Sequence, residues 1–323
     1  SRIVEFRQMV LALHRAGLRV GMDVVDNHTT ASGQREKSVL DRIVPGYYQR
    51  LNARGAVETS TCCDNTATEH RMMARLMLDS LELWARHYRI DSFRFDLMGH
   101  QPRDAMVAAQ QRLRRALGRE IHFIGEGWNF GEVANNARFR QASQRELGGT
   151  GIATFSDRGR DAVRGGGHDD SGTRLVSRQG WLNGLHHAPN ALGGEATRAQ
   201  LMAAADQVRV GLAGTLRSVE LTAHDGRRVT LEQLRYHDQP AGYVTEPAEV
   251  VNYVDNHDNQ TLFDINALRL PRDTTREDRA RVQVLGMALT AFSQGVAYFH
   301  AGVETLRSKS LDRNSYDSGD WFN

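Results

Sequence analysis

Short runs of β-branched and aromatic residues alternate with longer segments of helical period along this chain, and this alternation restricts the fold more than any other feature. It is typical of α/β proteins, in which helices connect the strands of a parallel sheet. Helices are predicted over residues 3–16, ended by Gly17, over Glu69–Tyr88 and over Pro102–Leu117. The predicted strands are Arg19–Val25, Ser92–Asp96, Ile121–Gly125, Ile152–Phe155, Val250–Val254 and Gly295–Phe299.

The number of predicted strands and the two ends of the chain indicate an incomplete barrel. A complete (β/α)8 TIM-type barrel has eight strands, two more than are predicted here. The chain opens directly on a helix and ends on the loop-like segment SYDSGDWFN, which we interpret as cuts at both ends. We therefore expect a truncated barrel in which strands 3 to 8 are present, and strands 1 and 2 and a C-terminal domain are missing.

Residues 156–250 are rich in Gly, Arg and Asp. This composition favours long loop and helix excursions within the barrel over a separate domain. No domain boundary is predicted there. Residues 1–323 are accordingly interpreted as one partial barrel domain of a longer multidomain protein.

The charge balance excludes several classes of partner. The chain has 41 Lys plus Arg residues and 39 Asp plus Glu residues, which gives a net charge of +2. Such a balance provides neither a basic surface for nucleic acid nor a polybasic run for an anionic membrane. No stretch approaches the roughly 20 consecutive apolar residues of a membrane span. Cell compartment and oligomeric state stay open.

The two cysteines, Cys62 and Cys63, are adjacent in the sequence. Their spacing matches neither a zinc site nor a disulfide framework. Adjacent Cα atoms lie about 3.8 Å apart across a trans peptide, below the usual Cα separation in a disulfide. A disulfide between them would be strained, so a local structural role is favoured.

Polar and ionisable residues gather where four of the predicted strands end. In a parallel α/β barrel, the loops after the strands meet at one face and form one site. The four clusters are therefore expected to converge. They are DVVDNHTT (23–30), FRFDLMGH (93–100), GEGW (125–128) and NYVDNHDN (252–259).

These four segments, in this order, resemble the four sequence regions of the α-amylase superfamily of glycoside hydrolases. The surrounding segments are more similar to pullulanases and limit dextrinases, which cleave α-1,6 branch linkages, than to α-amylases. The resemblance covers nearly the whole chain and implies the catalytic barrel of a debranching enzyme. The segments that narrow the subfamily include SVLDRIVPGYY (38–48), STCCDNTATEH (60–70), HFIGEGW (122–128), TFSDRGRDAVRGG (154–166), NQTLFD (259–264) and RSKSLDRNSYDSGDWFN (307–323).

The resemblance implies three catalytic carboxylates. Retaining hydrolysis of a glycosidic bond uses two carboxyl groups about 5 Å apart, one as nucleophile and one as acid/base. Asp96 matches the family nucleophile, and Glu126 matches the acid/base catalyst. Burial beside apolar neighbours would raise the pKa of Glu126. Asp258 matches the third carboxylate, which binds sugar hydroxyls and supports the transition state.

Further residues match supporting positions of the family. Arg94 would orient the Asp96 carboxylate and keep it ionised, because both lie on the same strand face. His28 and His257 match substrate-binding histidines, and Trp128 offers a ring that can stack on a sugar. Asp23 and Asn27 match scaffold residues that orient the first loop.

The sequence departs from the family pattern at several positions, and none of these replaces a proposed catalytic group. Asp26 stands where the family usually has Tyr, and Ser92 where Gly is usual. Loss of the aromatic residue at position 26 weakens the case for sugar stacking there.

The resemblance implies an α-glucan polysaccharide or oligosaccharide as substrate and no required cofactor. Calcium stays an option because Asp169 and Asp170 offer oxygen ligands, although a solvated acidic turn is the favoured explanation of that pair. No metal site is assigned.

Three alternatives remain open. The first is an α-1,4-acting α-amylase or neopullulanase of the same superfamily, and the second is a non-catalytic glucan-binding fragment. The third, argued without the resemblance, is a metal-dependent hydrolase in which the DNH and NHDN segments bring His and Asp together.

Overall fold

The computed structural model describes residues 1–322, which form two compact units. The first unit is Ser1–Phe155, and the second begins at Ser156. Each unit has its own buried apolar clusters. They are described separately below.

A parallel sheet forms the centre of the first unit. Its strands are β1 (Gly21–Val24), β4 (Ser92–Phe95), β5 (His122–Gly125) and β6 (Ala153–Phe155), which lie side by side in that order. A separate antiparallel pair consists of β2 (His28–Thr29) and β3 (Asp64–Asn65). The helices of this unit are α1 (Arg2–Arg15), α2 (Leu40–Ile43), α3 (Arg71–His87) and α4 (Arg103–Leu117).

The core of the first unit lies between this sheet and its helices. Phe93, Phe95 and Phe123 are each at most 1% exposed, and their rings contact one another. The core-facing residues of α3 follow helical spacing, because Met73, Met77, Leu81 and Ala85 recur every four residues. Burial of these apolar side chains is the main term that holds helix and sheet together.

The second unit combines helices with short strands. Its helices are α5 (Asp157–Arg164), α6 (Gly172–Ser177), α7 (Arg198–Leu212), α8 (Leu262–Arg269) and α9 (Arg276–Ala291). Two antiparallel hairpins consist of β7 (Glu220–Thr222) with β8 (Arg228–Thr230), and of β9 (Arg235–Tyr236) with β10 (Gln239–Pro240). The strands β11 (Val250–Asn252) and β12 (Val296–Ala297) are parallel neighbours.

Two glycines set the approach of α5 to α7. A Cβ atom added to Gly159 would lie 3.1 Å from the Cα of Gly211, and the converse substitution gives the same distance. That spacing is tighter than an ordinary van der Waals contact. The two helix backbones therefore pack directly against each other at this point.

The α/β class and all six predicted strands are confirmed. The strands are shorter than predicted, by between one and three residues, because parallel pairing covers only part of each predicted segment. The two hairpins within residues 156–250 were not predicted. The truncated barrel and the single-domain interpretation of residues 1–323 stay predictions.

Among the described residues, no helix combines the length and the apolar character needed to cross a membrane. The absence of a membrane segment was expected from the sequence.

Candidate active site

The register of the sheet in the first unit brings four of the predicted site residues together. β1 and β4 are paired so that Asp23 lies beside Arg94, and β4 and β5 so that Phe95 lies beside Gly125. Asp96 and Glu126 each come one residue after the end of their strand. The two predicted catalytic carboxylates of this unit consequently follow neighbouring parallel strands at the same edge of the sheet.

The guanidinium group of Arg94 is the common partner of these acids. Its Nη1 lies 2.9 Å from Asp23 and 3.3 Å from Asp96, and its Nη2 lies 2.9 Å from Glu126. The Arg94 side chain is only 9% exposed. Burial alone would lower the pKa of Arg94, but the charges of Glu126, Asp23 and Asp96 outweigh it and raise the pKa above its ordinary value.

The loop after Asp96 links the two catalytic candidates a second time. The backbone N–H of Leu97 donates to Glu126 Oε2 at 2.8 Å. Leu97 has a φ of +40°, a left-handed conformation that costs energy for a residue with a side chain. This turn directs the Leu97 N–H toward Glu126 immediately after the proposed nucleophile.

Asn27 holds Asp96 from the other side. Its amide Nδ2 donates to Asp96 Oδ2 at 2.9 Å and to the Asp96 carbonyl oxygen at 2.6 Å. Its Oδ1 accepts a short hydrogen bond from Nδ1 of His28. Asn27 is 1% exposed, so it is a buried bridge between His28 and Asp96. Its scaffold role stays a prediction.

The position of His28 depends on the pairing of β2 with β3. His28 lies opposite Asn65 in this antiparallel pair. Burial lowers the pKa of His28, partly offset by the negative charge of Asp96. The imidazole is therefore predominantly neutral near neutral pH.

Cys62 and Cys63 form a disulfide, and it lies next to His28. The Sγ atom of Cys62 is 3.4 Å from Nε2 of His28. The sequence disfavoured a disulfide between adjacent cysteines, and the structure corrects this: the covalent bond is present beside a predicted substrate-binding residue.

Asp26 lies between the end of β1 and Asn27, the bridging residue. Its carboxyl Oδ2 is shielded from solvent and has no hydrogen-bond partner among the described residues, although the residue as a whole is partly exposed. Burial raises the pKa of Asp26 to about 7. A neutral or partly neutral carboxyl therefore occupies the position where the resembled family has an aromatic residue.

The glycines on either side of Glu126 are required by the packing of the chain itself. A Cβ on Gly125 would lie 2.9 Å from the Phe95 carbonyl oxygen, and one on Gly127 would lie 2.7 Å from the Gln144 amide nitrogen. Trp128, the predicted stacking residue, follows them and is half-buried.

A buried polar network supports this loop and was not predicted from the sequence. The Arg50 guanidinium pairs with Glu69 and with Glu132, each at 2.9 Å. Glu132 also accepts hydrogen bonds from Ser60 and from Asn65, the residue opposite His28. The network therefore connects the segment after Glu126 with the strand that positions His28.

His257 and Asp258 belong to the second unit. His257 Nε2 lies 3.7 Å from Asp258 Oδ1, and both side chains are about half exposed. The backbone N–H of Asp258 donates to Asn256 Oδ1 at 2.9 Å. Lys309, which is 1% exposed, donates from Nζ to the His257 carbonyl oxygen at 2.6 Å. The position of these two residues relative to Asp96 and Glu126 stays a prediction.

The acidic pair for which calcium was considered is engaged by arginines. Asp170 is 2% exposed, and its carboxylate lies 2.7 Å from Arg178 and 3.3 Å from Arg269. Asp169 is exposed and lies 3.4 Å from Arg174. Asp170 is thus a buried ion-pair residue rather than part of a solvated turn, and calcium binding stays untested.

Comparison with known proteins identifies the relatives of this chain. A scan against models of protein families found no match. The chain is 48% identical to "Pullulanase 1, chloroplastic" of Arabidopsis thaliana, over 100% of this chain and 34% of that protein. It is also 48% identical to a pullulanase of Klebsiella aerogenes, over 100% of this chain and 29% of that protein.

Solved structures give the same result. A maltotriose complex of PulA from Klebsiella pneumoniae matches with a TM-score of 0.96 and 47% identity, covering 100% of this chain and 34% of that chain. Apo pullulanase from Paenibacillus barengoltzii matches with a TM-score of 0.79 and 32% identity, covering 100% of this chain and 43% of that chain.

The chain spans about one third of the length of the two curated relatives named above, with shares of 34% and 29%. The match extends over the whole of this chain in both cases. The resemblance predicted from the sequence motifs is therefore confirmed, and this chain is related over its entire length to about one third of a pullulanase.

Proposed function

We propose that this chain carries catalytic groups of a retaining glycoside hydrolase that cleaves α-1,6-glucosidic branch linkages in pullulan, amylopectin and limit dextrins. The observation that carries the proposal is the pairing of Asp96 and Glu126 with the single guanidinium of Arg94. The buried Arg94 guanidinium contacts both of the carboxyl groups that double-displacement chemistry requires. The similarity to pullulanases supports the choice of substrate.

In the proposed mechanism Asp96 attacks the anomeric carbon and forms a covalent glucosyl intermediate. Arg94 and Asn27 hold its carboxylate in a fixed orientation. Attack therefore requires no reorganisation of the nucleophile.

Glu126 donates a proton to the leaving oxygen and then accepts one from the attacking water. The raised pKa expected for Glu126 stays a prediction. Asp258 is proposed to bind sugar hydroxyls and stabilise positive charge in the transition state, with His257 beside it.

The supporting groups of the first unit have separate proposed roles. His28 offers its Nε2 to a sugar hydroxyl, and Trp128 offers a ring face for stacking. Asp23 and Asn27 fix the positions of Arg94 and His28. The proposed partner is an α-glucan oligosaccharide or polysaccharide, and no cofactor takes part in the proposed steps.

The test uses the full-length protein that contains this sequence. It is incubated with pullulan and, separately, with linear amylose, and the products are identified by chromatography. Maltotriose from pullulan, with amylose intact, is the expected result. Cleavage of amylose would assign α-1,4 specificity instead, and cleavage of neither substrate would favour a glucan-binding role.

A further inference from the structure

The disulfide beside His28 is accessible. Cys62 is exposed and Cys63 is partly exposed. Nε2 of His28 and the two Sγ atoms all lie within 4.8 Å of one another. An imidazole nitrogen and two cysteine sulfurs are the ligand types that zinc and similar soft divalent cations prefer.

We propose that reduction of the Cys62–Cys63 disulfide converts His28, Cys62 and Cys63 into a three-ligand binding site for a soft divalent cation, of which Zn²⁺ is the representative. The oxidised pair has no thiolate to offer, so the site exists only in the reduced chain. The fourth zinc position stays open to water, as in zinc sites with three protein ligands.

The hydrogen bonds of His28 prepare Nε2 as a ligand. Asn27 directs its amide nitrogen to Asp96, so its Oδ1 faces His28 and accepts from Nδ1. Nδ1 therefore carries the proton in the neutral ring, and the lone pair of Nε2 points toward Cys62. A metal-binding histidine is usually held in this way, with its other nitrogen donating to a fixed oxygen.

The distances fit a zinc site once the disulfide is broken. Zinc binds sulfur at about 2.3 Å and imidazole nitrogen at about 2.0 Å, so its tetrahedral ligands are about 3.5 Å apart. Nε2 of His28 is already 3.4 Å from the Cys62 Sγ atom, and the two sulfur atoms must separate from their bonded distance by rotation of the cysteine side chains. Breaking the S–S bond frees both cysteine side chains for those rotations.

The chemistry balances with a dithiol as the reductant. A thiolate of the dithiol attacks one sulfur of the pair and forms a mixed disulfide, and its second thiol displaces the remaining cysteine. Two electrons and two protons pass to Cys62 and Cys63, and the dithiol becomes a cyclic disulfide. Zinc binding then releases both thiol protons to solvent and leaves two thiolates on the metal.

The effect on catalysis follows from the position of His28 and rests on the proposed function. Zinc bound to Nε2 occupies the lone pair that is proposed to contact the sugar. The reduced, zinc-bound enzyme is therefore expected to lose activity, whereas the reduced enzyme without zinc keeps it.

The first experiment measures metal binding by this chain directly. Thiol titration is expected to find no free thiol before reduction and two after reduction. After reduction with a phosphine that is then removed, Zn²⁺ is titrated in competition with a chromogenic zinc indicator. One zinc ion per reduced chain and none per oxidised chain is the expected result.

Variants separate this site from adventitious binding. The double change Cys62→Ser with Cys63→Ser should abolish zinc binding, and His28→Gln should weaken it by at least about 10-fold. His122→Gln, at an exposed histidine of the same unit, should leave it unchanged. Equal binding by the oxidised chain or by the double-serine variant would overturn the proposal, and so would no binding by the reduced chain.

A second arm keeps the two proposals distinguishable. In the full-length protein, pullulan hydrolysis after reduction should fall when Zn²⁺ is added and return when a chelator removes it. Zinc binding without inhibition would contradict the proposed inhibition but would still support the metal site. Absence of any pullulan hydrolysis would count against the proposed function, and the zinc titration would still decide the site.

Discussion

At the scale of single residues, the site in the first unit is organised by one cation. Three acidic side chains lie within 3.3 Å of the Arg94 guanidinium, and Asn27 adds a neutral amide on the far side of Asp96. The motif FRFD predicted the pairing of Arg94 with Asp96, because residues two apart on a strand share a face. It did not predict the contact of Leu97 with Glu126, which depends on a left-handed turn.

Substitution of the proposed nucleophile and acid/base residue tests their assignment. In the full-length protein, Asp96→Asn should lower kcat on pullulan by about 10⁴-fold or more and leave glucan affinity largely intact. Glu126→Gln should lower kcat by about 10²- to 10⁴-fold. Steady-state kinetics and calorimetric binding measure the two quantities. Near-normal kcat in either variant would rule out the assigned role.

The buried carboxyl of Asp26 gives stability a pH dependence. Its folded-state pKa of about 7 lies above its ordinary value of 3.8. Between these two pH values the folded chain therefore binds a proton at Asp26 that the unfolded chain does not. The free energy of unfolding therefore falls as the pH rises through this window.

Asp26→Asn should remove this loss of stability. The variant should be more stable than the parent at pH 7 and above, by an amount on the order of a few kcal/mol, and the difference should vanish below pH 4. Urea unfolding across this pH range measures the effect. Asp104→Asn, at a side chain that is 85% exposed, is the matched control. A difference that is independent of pH would contradict the explanation.

At the scale of elements, the sequence predicted the strands and the long helices because their apolar residues recur with a clear period. α3 is the clearest case, since its buried residues recur every four positions. The pairing of β2 with β3 could not be predicted, because each strand has only two residues and no period. The position of His28 against Asn65 therefore became visible only in the structure.

The network around Glu132 joins the elements on either side of the candidate site. Burial alone would raise the pKa of Glu132, but the hydrogen bonds from Ser60, Arg50 and Asn65 outweigh it and lower the pKa to about 2. Because the folded pKa lies below its ordinary value of 4.5, this group stabilises the fold at higher pH. That stabilisation is lost as the pH falls through about 2.

Glu132→Gln should therefore destabilise the first unit in a pH-dependent way. The loss at pH above 4.5 should be on the order of 3 kcal/mol and should shrink toward pH 2. Chemical denaturation as a function of pH measures it. Glu120→Gln changes a carboxylate that is 54% exposed, and should have little effect at any pH. An equal loss of stability in this control would show that removal of one negative charge, and not loss of the network, is responsible.

At the scale of the whole molecule, each unit carries its own apolar core. Phe123 is 1% exposed in the first unit, and Leu262 is 0% exposed in the second. The interpretation of residues 1–323 as one partial domain stays a prediction, because sequence periodicity reports on elements and carries no information about how contacts divide between them. The truncated barrel and the predicted approach of segment 252–259 to Asp96 also depend on how contacts divide between elements, which periodicity does not report.

Core substitutions test whether the units unfold separately. Phe123→Ala should cost about 3–5 kcal/mol, and Leu262→Ala about 2–5 kcal/mol. Hydrogen exchange followed by mass spectrometry should show each loss of amide protection confined to its own unit, and the two variants serve as controls for each other. Equal loss in both units would show that the chain unfolds as one cooperative body.

The contact between Gly159 and Gly211 has a consequence for how sequences of this kind diverge. Because a Cβ on either glycine would lie 3.1 Å from the Cα of the other, neither position accepts a side chain unless α5 and α7 move apart. Substitution of one glycine by a larger residue is therefore disfavoured while the packing at the other glycine stays unchanged. Among descendants of a common ancestor, both positions are expected to remain small together, or to enlarge only where the two helices lie farther apart.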